Sequence, residues 1–410
     1  MASPDSSPTD PPPSLSMHVA AVAVMTIVAG LIFLSINFGL AFFYAMPVTQ
    51  ADPNLYRKEL SEALGKELDW SSMDEALSKC RAAGCRPYIN PAEFKVVPGA
   101  IHPFSNRPNS NLLYCNETGK WAFIQSDKFG FNNRNTERFV ASDIVLLGDS
   151  FGTGACLDGK FSIASNIENS GKTVLNLSIG GHQPLDELAT LKEYAPQFKT
   201  LVWLFFEGND FIPATDGELA VRYLEPDYTQ NLKSREREIV GLFDALEHDW
   251  GIRASLRAGQ SASQSRISFN RLASSLSSWR DRFFSPTISF LRSFRPAEPI
   301  QFDQDLFGAT LREGMRTARS KGASRFILVY LPSWEKLSWK PGTHPQLTTF
   351  DQLRKSVSSM SEAAGFEFLD ATPRFSSEDR ASLFPYDTHA HYTEKGYRLA
   401  SEAILQGLGK

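Results

Sequence analysis

Cysteine and histidine are scarce in this sequence, with four Cys and seven His among 410 residues. No C-x-x-C pair occurs and no cluster of His completes a ligand set, so a zinc site is not expected and no metal or cofactor is called for. Excess charge of either sign is missing too. The formal net charge is −4, which gives no case for nucleic acid. Charge is absent altogether from Val19 to Ala45, a run rich in Ala, Val, Ile, Leu and Phe. As a helix this run spans roughly 40 Å, enough to cross a bilayer with some tilt. A cleaved signal peptide does not fit, because no Lys or Arg precedes the run and no A-x-A site closes it. The reading is a disordered Pro-rich tail over residues 1–17 and one transmembrane helix over 18–45.

What remains is ordinary globular composition, 42% hydrophobic and 21% charged, long enough for one catalytic domain with additions. Orientation across the membrane is contested. Arg57, Lys58 and Lys66 follow the anchor, and the positive-inside rule alone would put the C-terminal domain in the cytoplasm. The even cysteine count, with Cys80 near Cys85 and then Cys115 and Cys156, suits a disulfide-permissive compartment, although four reduced thiols fit as well.

Residues 46–137 read as a membrane-proximal segment. Its first part, 51–87, has helical amphipathic spacing, and 88–137 is irregular and rich in Pro, Asn and Gly. Asn116-Glu117-Thr118 is a formal glycosylation sequon. From Asp143 short apolar runs alternate with helical stretches. Ile144–Leu147, Thr173–Ile179, Leu201–Phe206, Arg325–Leu331 and Phe366–Leu369 read as five strands covered on both faces. They predict a parallel five-stranded sheet in a three-layer α/β/α fold, with functional groups beyond the carboxyl ends of the strands. A helical insertion at about 212–304 interrupts the alternation. From Arg253 to Arg295 it holds eight Arg, no Lys and a single acidic residue, interleaved with Phe and Trp. That suits either a cap helix with solvated Arg or a surface meeting lipid headgroups or an anionic polymer.

Four short motifs carry the chemistry. Gly148-Asp149-Ser150-Phe151 follows the first strand, where a Ser on a tight strand-to-helix turn is exposed as a nucleophile with its own N–H turned to the site. Gly181 follows the second strand and can bring a bare backbone N–H close to an oxyanion. Asn209, in Gly208-Asn209-Asp210 after the third, offers a side-chain donor to the same place. Asp387-Thr388-His389-Ala390-His391 precedes the last helix and supplies a general base and a carboxylate.

In this order the motifs resemble the SGNH (GDSL-like) hydrolase family, over residues 138–211 and 323–408. Ser126 to Asn133 resembles the stretch before the nucleophile in bacterial membrane-anchored members. The resemblance implies a flavodoxin-like domain over 138–410, a serine hydrolase with Ser150, His391 and Asp387 as catalytic residues, and an oxyanion hole of Ser150, Gly181 and Asn209. The family's spacing from the catalytic His to a Gly selects His391 over His389, through Gly396. Its acid lies two or three residues before the His, whereas Asp387 lies four before His391. Glu207 stands where the family has Gly.

Two functions follow as expectations. One is an esterase or O-acyltransferase working through a Ser150 acyl-enzyme on an ester-bearing small molecule, envelope glycan or lipid-linked substrate. The other is a non-catalytic envelope module binding glycan or a partner protein. A tethered site of the first kind suits envelope substrates and so favours the periplasmic side.

Overall fold

A computed structural model describes residues 68–69, 71–94, 99–134, 136–211, 221–263, 300–338 and 345–409, together with five positions between 24 and 35. The expected tail at 1–17, nearly all of the expected transmembrane helix at 18–45, and most of the Arg-rich aromatic half of the insertion (from residue 264) lie outside the described residues. Among the described residues no helix is long and apolar enough to cross a membrane. The chain divides into two units, and the account below concerns the one formed by residues 64–264 and 297–410.

Its centre is a five-stranded sheet of β4 (Ala141–Leu147), β5 (Val174–Asn176), β6 (Gln197–Phe206), β7 (Arg325–Leu331) and β8 (Glu367–Asp370). The spatial order is β5-β4-β6-β7-β8 and every pairing is parallel. Counting these strands from one, the order is 2-1-3-4-5, that of flavodoxin-like doubly wound sheets. Apolar runs without polar alternation make this sheet because both faces are covered. Val145, Leu147, Trp203, Phe205, Leu328 and Tyr330 point into one core. Ile144, Leu146, Val202, Leu204, Phe206 and Val329 point into the other. The period of two thus sorts a continuous apolar strand into two half-cores.

The principal helices are α1 (Met73–Cys80), α2 (Ser150–Thr153), α3 (Ile163–Glu168), α4 (Pro184–Tyr194), α5 (Glu236–Ser263), α6 (Gln304–Ser320), α7 (Pro345–Ala363) and α8 (Glu394–Leu408). Residues of α4, α6 and α7 close the first core, and residues of α3 and α8 close the second. Helix α6 approaches through Gly314, where a Cβ would lie 2.4 Å from the Trp203 ring. Helix α5 sends Ile239 and Phe243 into the first core.

The segment before the sheet departs from the expected helix over 51–87. Among its described residues the α-helix is confined to α1, which a Ser72/Glu75 capping box starts. A left-handed Gly84 stops the helical run that follows. The chain then enters a three-stranded sheet of β1 (Arg86–Pro87), β2 (Asn111–Leu113) and β3 (Phe123–Gln125), with β1 parallel and β3 antiparallel to β2. Ile89, Phe104 and Phe131 from this segment join the first core. Asn133 caps the outer edge of β5 in both directions: Asn176 N–H donates to its Oδ1 at 2.8 Å, and its Nδ2 donates to the Asn176 carbonyl at 2.9 Å. The irregular segment therefore covers an edge strand that would otherwise be open for pairing.

Candidate active site

β4 ends at Leu147, and Asp149 caps the short helix α2 by accepting the Phe151 N–H at 2.9 Å. That cap turns the chain sharply, so Ser150 begins a helix above the strand end. The last loop brings His391 to it, with Nε2 2.8 Å from the Ser150 hydroxyl. His389 points elsewhere: it is exposed and its Nδ1 meets Glu335.

Asp387 is not brought to His391, which corrects the acid expected from the last loop. Its carboxylate is held by the Arg380 guanidinium and accepts the Trp334 indole N–H at 3.1 Å. The Arg380 hydrogen bonds hold its carboxyl below the usual range. A cation seven residues back in the same loop outcompetes a neutral imidazole for this acid.

The carboxylate on His391 is Glu117, from the loop between β2 and β3. Glu117 Oε1 lies 2.9 Å from Nδ1, and Oε2 accepts the His391 backbone N–H at 2.7 Å. Burial alone would raise the Glu117 carboxyl and depress the imidazole. Their mutual attraction and hydrogen bonds outweigh it, so Glu117 sits below the usual range and His391 above. With the proton on Nδ1 facing the carboxylate, Nε2 is left to accept from Ser150. Sequence reasoning met Glu117 only as the middle of a sequon. A contact across 274 residues leaves no spacing to read.

Gly181 and Asn209, expected as oxyanion donors beside the Ser150 N–H, are tied to the Gly148-Asp149 turn. The Ile179 N–H donates to the Gly148 carbonyl at 3.1 Å, which keeps the chain leading to Gly181 alongside the Asp149-Ser150 turn. Gly181 has φ +83°, and a Cβ there would lie 2.0 Å from Asn90 Nδ2, so only glycine fits. Its neighbour Gly180 donates its N–H to the Tyr88 hydroxyl at 2.9 Å, and Tyr88 stacks on Tyr114 with ring centroids 3.9 Å apart. Asn209 donates through Nδ2 to Asp149 at 3.1 Å, which fixes its amide beside Ser150. Glu207, in the place of the family's Gly, is buried and braces two strand ends. It accepts from the Tyr330 hydroxyl at 2.7 Å and the Ser333 N–H at 2.8 Å, and burial pushes its carboxyl up to about 7.

Cys115 and Cys156 form a disulfide, as do Cys80 and Cys85. Cys156, Glu117 and His391 are close enough together to suggest a metal set. The sulfur is spent in the disulfide and the other two groups are hydrogen-bonded to each other, so the cluster offers no open ligands.

No protein-family model and no curated sequence matches the chain. Among solved structures it is similar to a member of the lipolytic protein G-D-S-L family from Veillonella parvula, at 12% identity over 65% of this chain and 98% of that one, with a TM-score of 0.31. It is also similar to a catalytic mutant of an acetylxylan esterase from Geobacillus stearothermophilus, at 15% identity over 66% and 94%, with a TM-score of 0.33. These likenesses are distant. A 2-1-3-4-5 parallel sheet bearing Ser150, Gly181 and Asn209 after its first three strands, and His391 before its last helix, is the arrangement the sequence motifs predicted.

Proposed function

We propose that this chain is a membrane-anchored serine esterase or O-acyltransferase acting on an ester-bearing envelope glycan or lipid-linked sugar. The observation that carries the reading is the relay Ser150–His391–Glu117, a hydroxyl, an imidazole and a carboxylate joined at 2.8 and 2.9 Å. Ser150 Oγ attacks the acyl carbon while its proton passes to His391 Nε2, and Glu117 offsets the imidazolium charge. The oxyanion is held by the N–H groups of Ser150 and Gly181 and the amide of Asn209. Collapse expels the alcohol, which takes the proton from Nε2. Water or a sugar hydroxyl then attacks the acyl-enzyme by the reverse course, and so one intermediate serves both esterase and transferase.

A glycan substrate is supported by a groove of about 990 Å³ bordered by Thr118 and Cys156, neighbours of the relay. Trp121, Phe123, Phe161 and Tyr386 line it, with Lys120 and Arg134 among its charged groups. Aromatic faces and long polar side chains together suit sugar rings bearing hydroxyl or acidic groups. Two disulfides support an extracytoplasmic site, since thiols stay reduced in the cytosol. A reporter that folds only outside the cytoplasm, fused after Lys410, is expected to be active; an active cytoplasm-only reporter there overturns the placement.

The catalytic reading is tested by a serine-directed fluorophosphonate. It is expected to label the wild type and not Ser150→Ala. Equal labelling of a folded Ser150→Ala, or none of either, rejects the acyl-enzyme.

A further inference from the structure

We infer that the Cys115–Cys156 disulfide is a positioning device for the catalytic acid, tying the loop that carries Glu117 to the element that carries Ser150. The inference rests on the proposed acyl-enzyme reading and adds to it a pair of residues that acts through Glu117.

The acid comes from an unusual direction. Ser150 and His391 stand on the central domain, but Glu117 sits on the connection between β2 and β3 of the small sheet. Two short strands hold the ends of that connection, with Tyr114 N–H bonded to the Ala122 carbonyl at 2.9 Å and Ala122 N–H to the Cys115 carbonyl at 3.0 Å. These bonds close the hairpin on itself and do not aim its tip at His391. Asp69 holds the tip from outside through its N–H to the Gly119 carbonyl at 2.8 Å, and two contacts tie it to the central domain. The Tyr386 hydroxyl, on the His391 loop, donates to the Thr118 carbonyl at 2.6 Å. The disulfide joins Cys115, two residues before the acid, to Cys156, six residues after Ser150, with Cα atoms 4.9 Å apart.

The contacts form a closed ring: Ser150, helix α2, Cys156, Cys115, Glu117, His391 and back to Ser150. Every link outside the backbone is a hydrogen bond except the disulfide. Cys156 also adopts φ +61°, left-handed for a residue other than glycine, which makes its place in the ring a specified one. Its Sγ lies 3.6 Å from His391 Nδ1, so the bridge packs beside the imidazole–carboxylate hydrogen bond. Cys80–Cys85 closes a short turn after α1 and has no such position.

A catalytic group displaced by about 1 Å can lose roughly 10²-fold in rate, so freeing the tip should be felt in turnover. The experiment compares Cys115→Ala/Cys156→Ala, Glu117→Gln, the triple variant combining them, and Cys80→Ala/Cys85→Ala, with kcat and kcat/KM for p-nitrophenyl acetate followed against pH and the melting temperature on the same samples. For Cys115→Ala/Cys156→Ala the expected result is a kcat lower by roughly 10²-fold, with the acidic limb of kcat/KM moved to lower pH as in Glu117→Gln. The triple variant should be no slower than Glu117→Gln, because the bridge has nothing left to position. Cys80→Ala/Cys85→Ala should keep the wild-type profile.

If the paired alanine variant does not fold, the folded Cys80→Ala/Cys85→Ala protein is reduced with a phosphine until two thiols are counted, and the same profile is recorded with circular dichroism as the check on fold. An unchanged limb and kcat in either preparation overturns the inference. So does a loss that multiplies with that of Glu117→Gln, since the bridge would then act by a route other than Glu117. Fluorophosphonate labelling of the wild type separates these failures from failure of the acyl-enzyme reading itself.

Discussion

Glu117 and Asp387 show how two carboxylates of similar intrinsic acidity take different roles according to the charge nearest each. Asp387 faces a guanidinium, which never deprotonates, while Glu117 faces an imidazole, which does. Removing each charge therefore has different consequences. In Glu117→Gln the main attraction raising His391 is gone, leaving the Asp149 charge against burial, which depresses it. The imidazole must be neutral to act as base, so wild-type activity should climb through an apparent pKa above the ordinary 6.5 of His. In Glu117→Gln that limb should shift below the wild-type position, with kcat down by roughly 10²–10⁴-fold because the amide can stabilise the wrong tautomer. A limb that stays in place in the kcat/KM profile would remove Glu117 from the relay.

Asp387→Asn should instead leave kcat nearly unchanged and lower the melting temperature at neutral pH. The sign follows from its depressed carboxyl: stability is present above the unfolded value and is lost as pH falls through the folded one. Thermal midpoints of wild type and variant should therefore converge below pH 3.8, the ordinary value. A kcat loss matching that of Glu117→Gln would return Asp387 to the site. That Ser150 and His391 come together was legible because each sits on a turn with its own local signal. The acid was not, because the loop that offers an Asp also offers Arg380 to take it.

At the scale of elements, the apolar runs announced the five parallel strands, since burial on both faces leaves no polar alternation to misread. Their ends were less legible. β5 stops at Asn176, short of the expected Ile179, where the Asn133 amide takes over its edge. The segment before the sheet was least legible. Its helical spacing gave way at Gly84, and its strands are two or three residues long, too short for any period. Yet it supplies the carboxylate on His391 and lies against the Gly180-Gly181 turn through Tyr88 and Asn90.

Gly181→Ala tests that prop. The new Cβ would collide with Asn90 Nδ2 in a left-handed backbone that L residues rarely adopt. The collision and the positive φ together should displace the turn, and a misplaced donor should cost kcat roughly 10²–10³-fold while KM for a small ester changes little. Combining it with Asn90→Gly relieves the collision but not the backbone strain, so partial recovery of kcat is expected. Full activity in Gly181→Ala alone would exclude this loop from oxyanion binding.

At the scale of the whole molecule, the Ser150–His391–Glu117 relay is assembled from two parts, Glu117 coming from the small sheet's hairpin and Ser150 and His391 from the central domain. The groove spans the same two parts, with Lys120 and Phe123 from the small sheet and Phe161, Tyr386 and Thr393 from the central domain. None of this was readable from the sequence, because its lining comes from three distant stretches that the fold alone assembles. Phe123 offers the cleanest probe of what the groove holds. It lies on an outward position of β3, is 40% exposed and borders the groove. Removing it should leave the core intact. Ring contacts of this kind are worth about 0.5–1.5 kcal/mol, so Phe123→Ala should raise KM for an acetylated oligosaccharide by roughly 2–10-fold. Lys120→Ala should raise it further for a chain bearing carboxylates than for a neutral one. Neither change should alter KM or kcat for p-nitrophenyl acetate, which is too small to reach from Ser150 into the groove. Parallel loss on both substrates would mean that the substitutions disturb the relay. An unchanged KM on the oligosaccharide would mean that the glycan, if it binds, runs elsewhere.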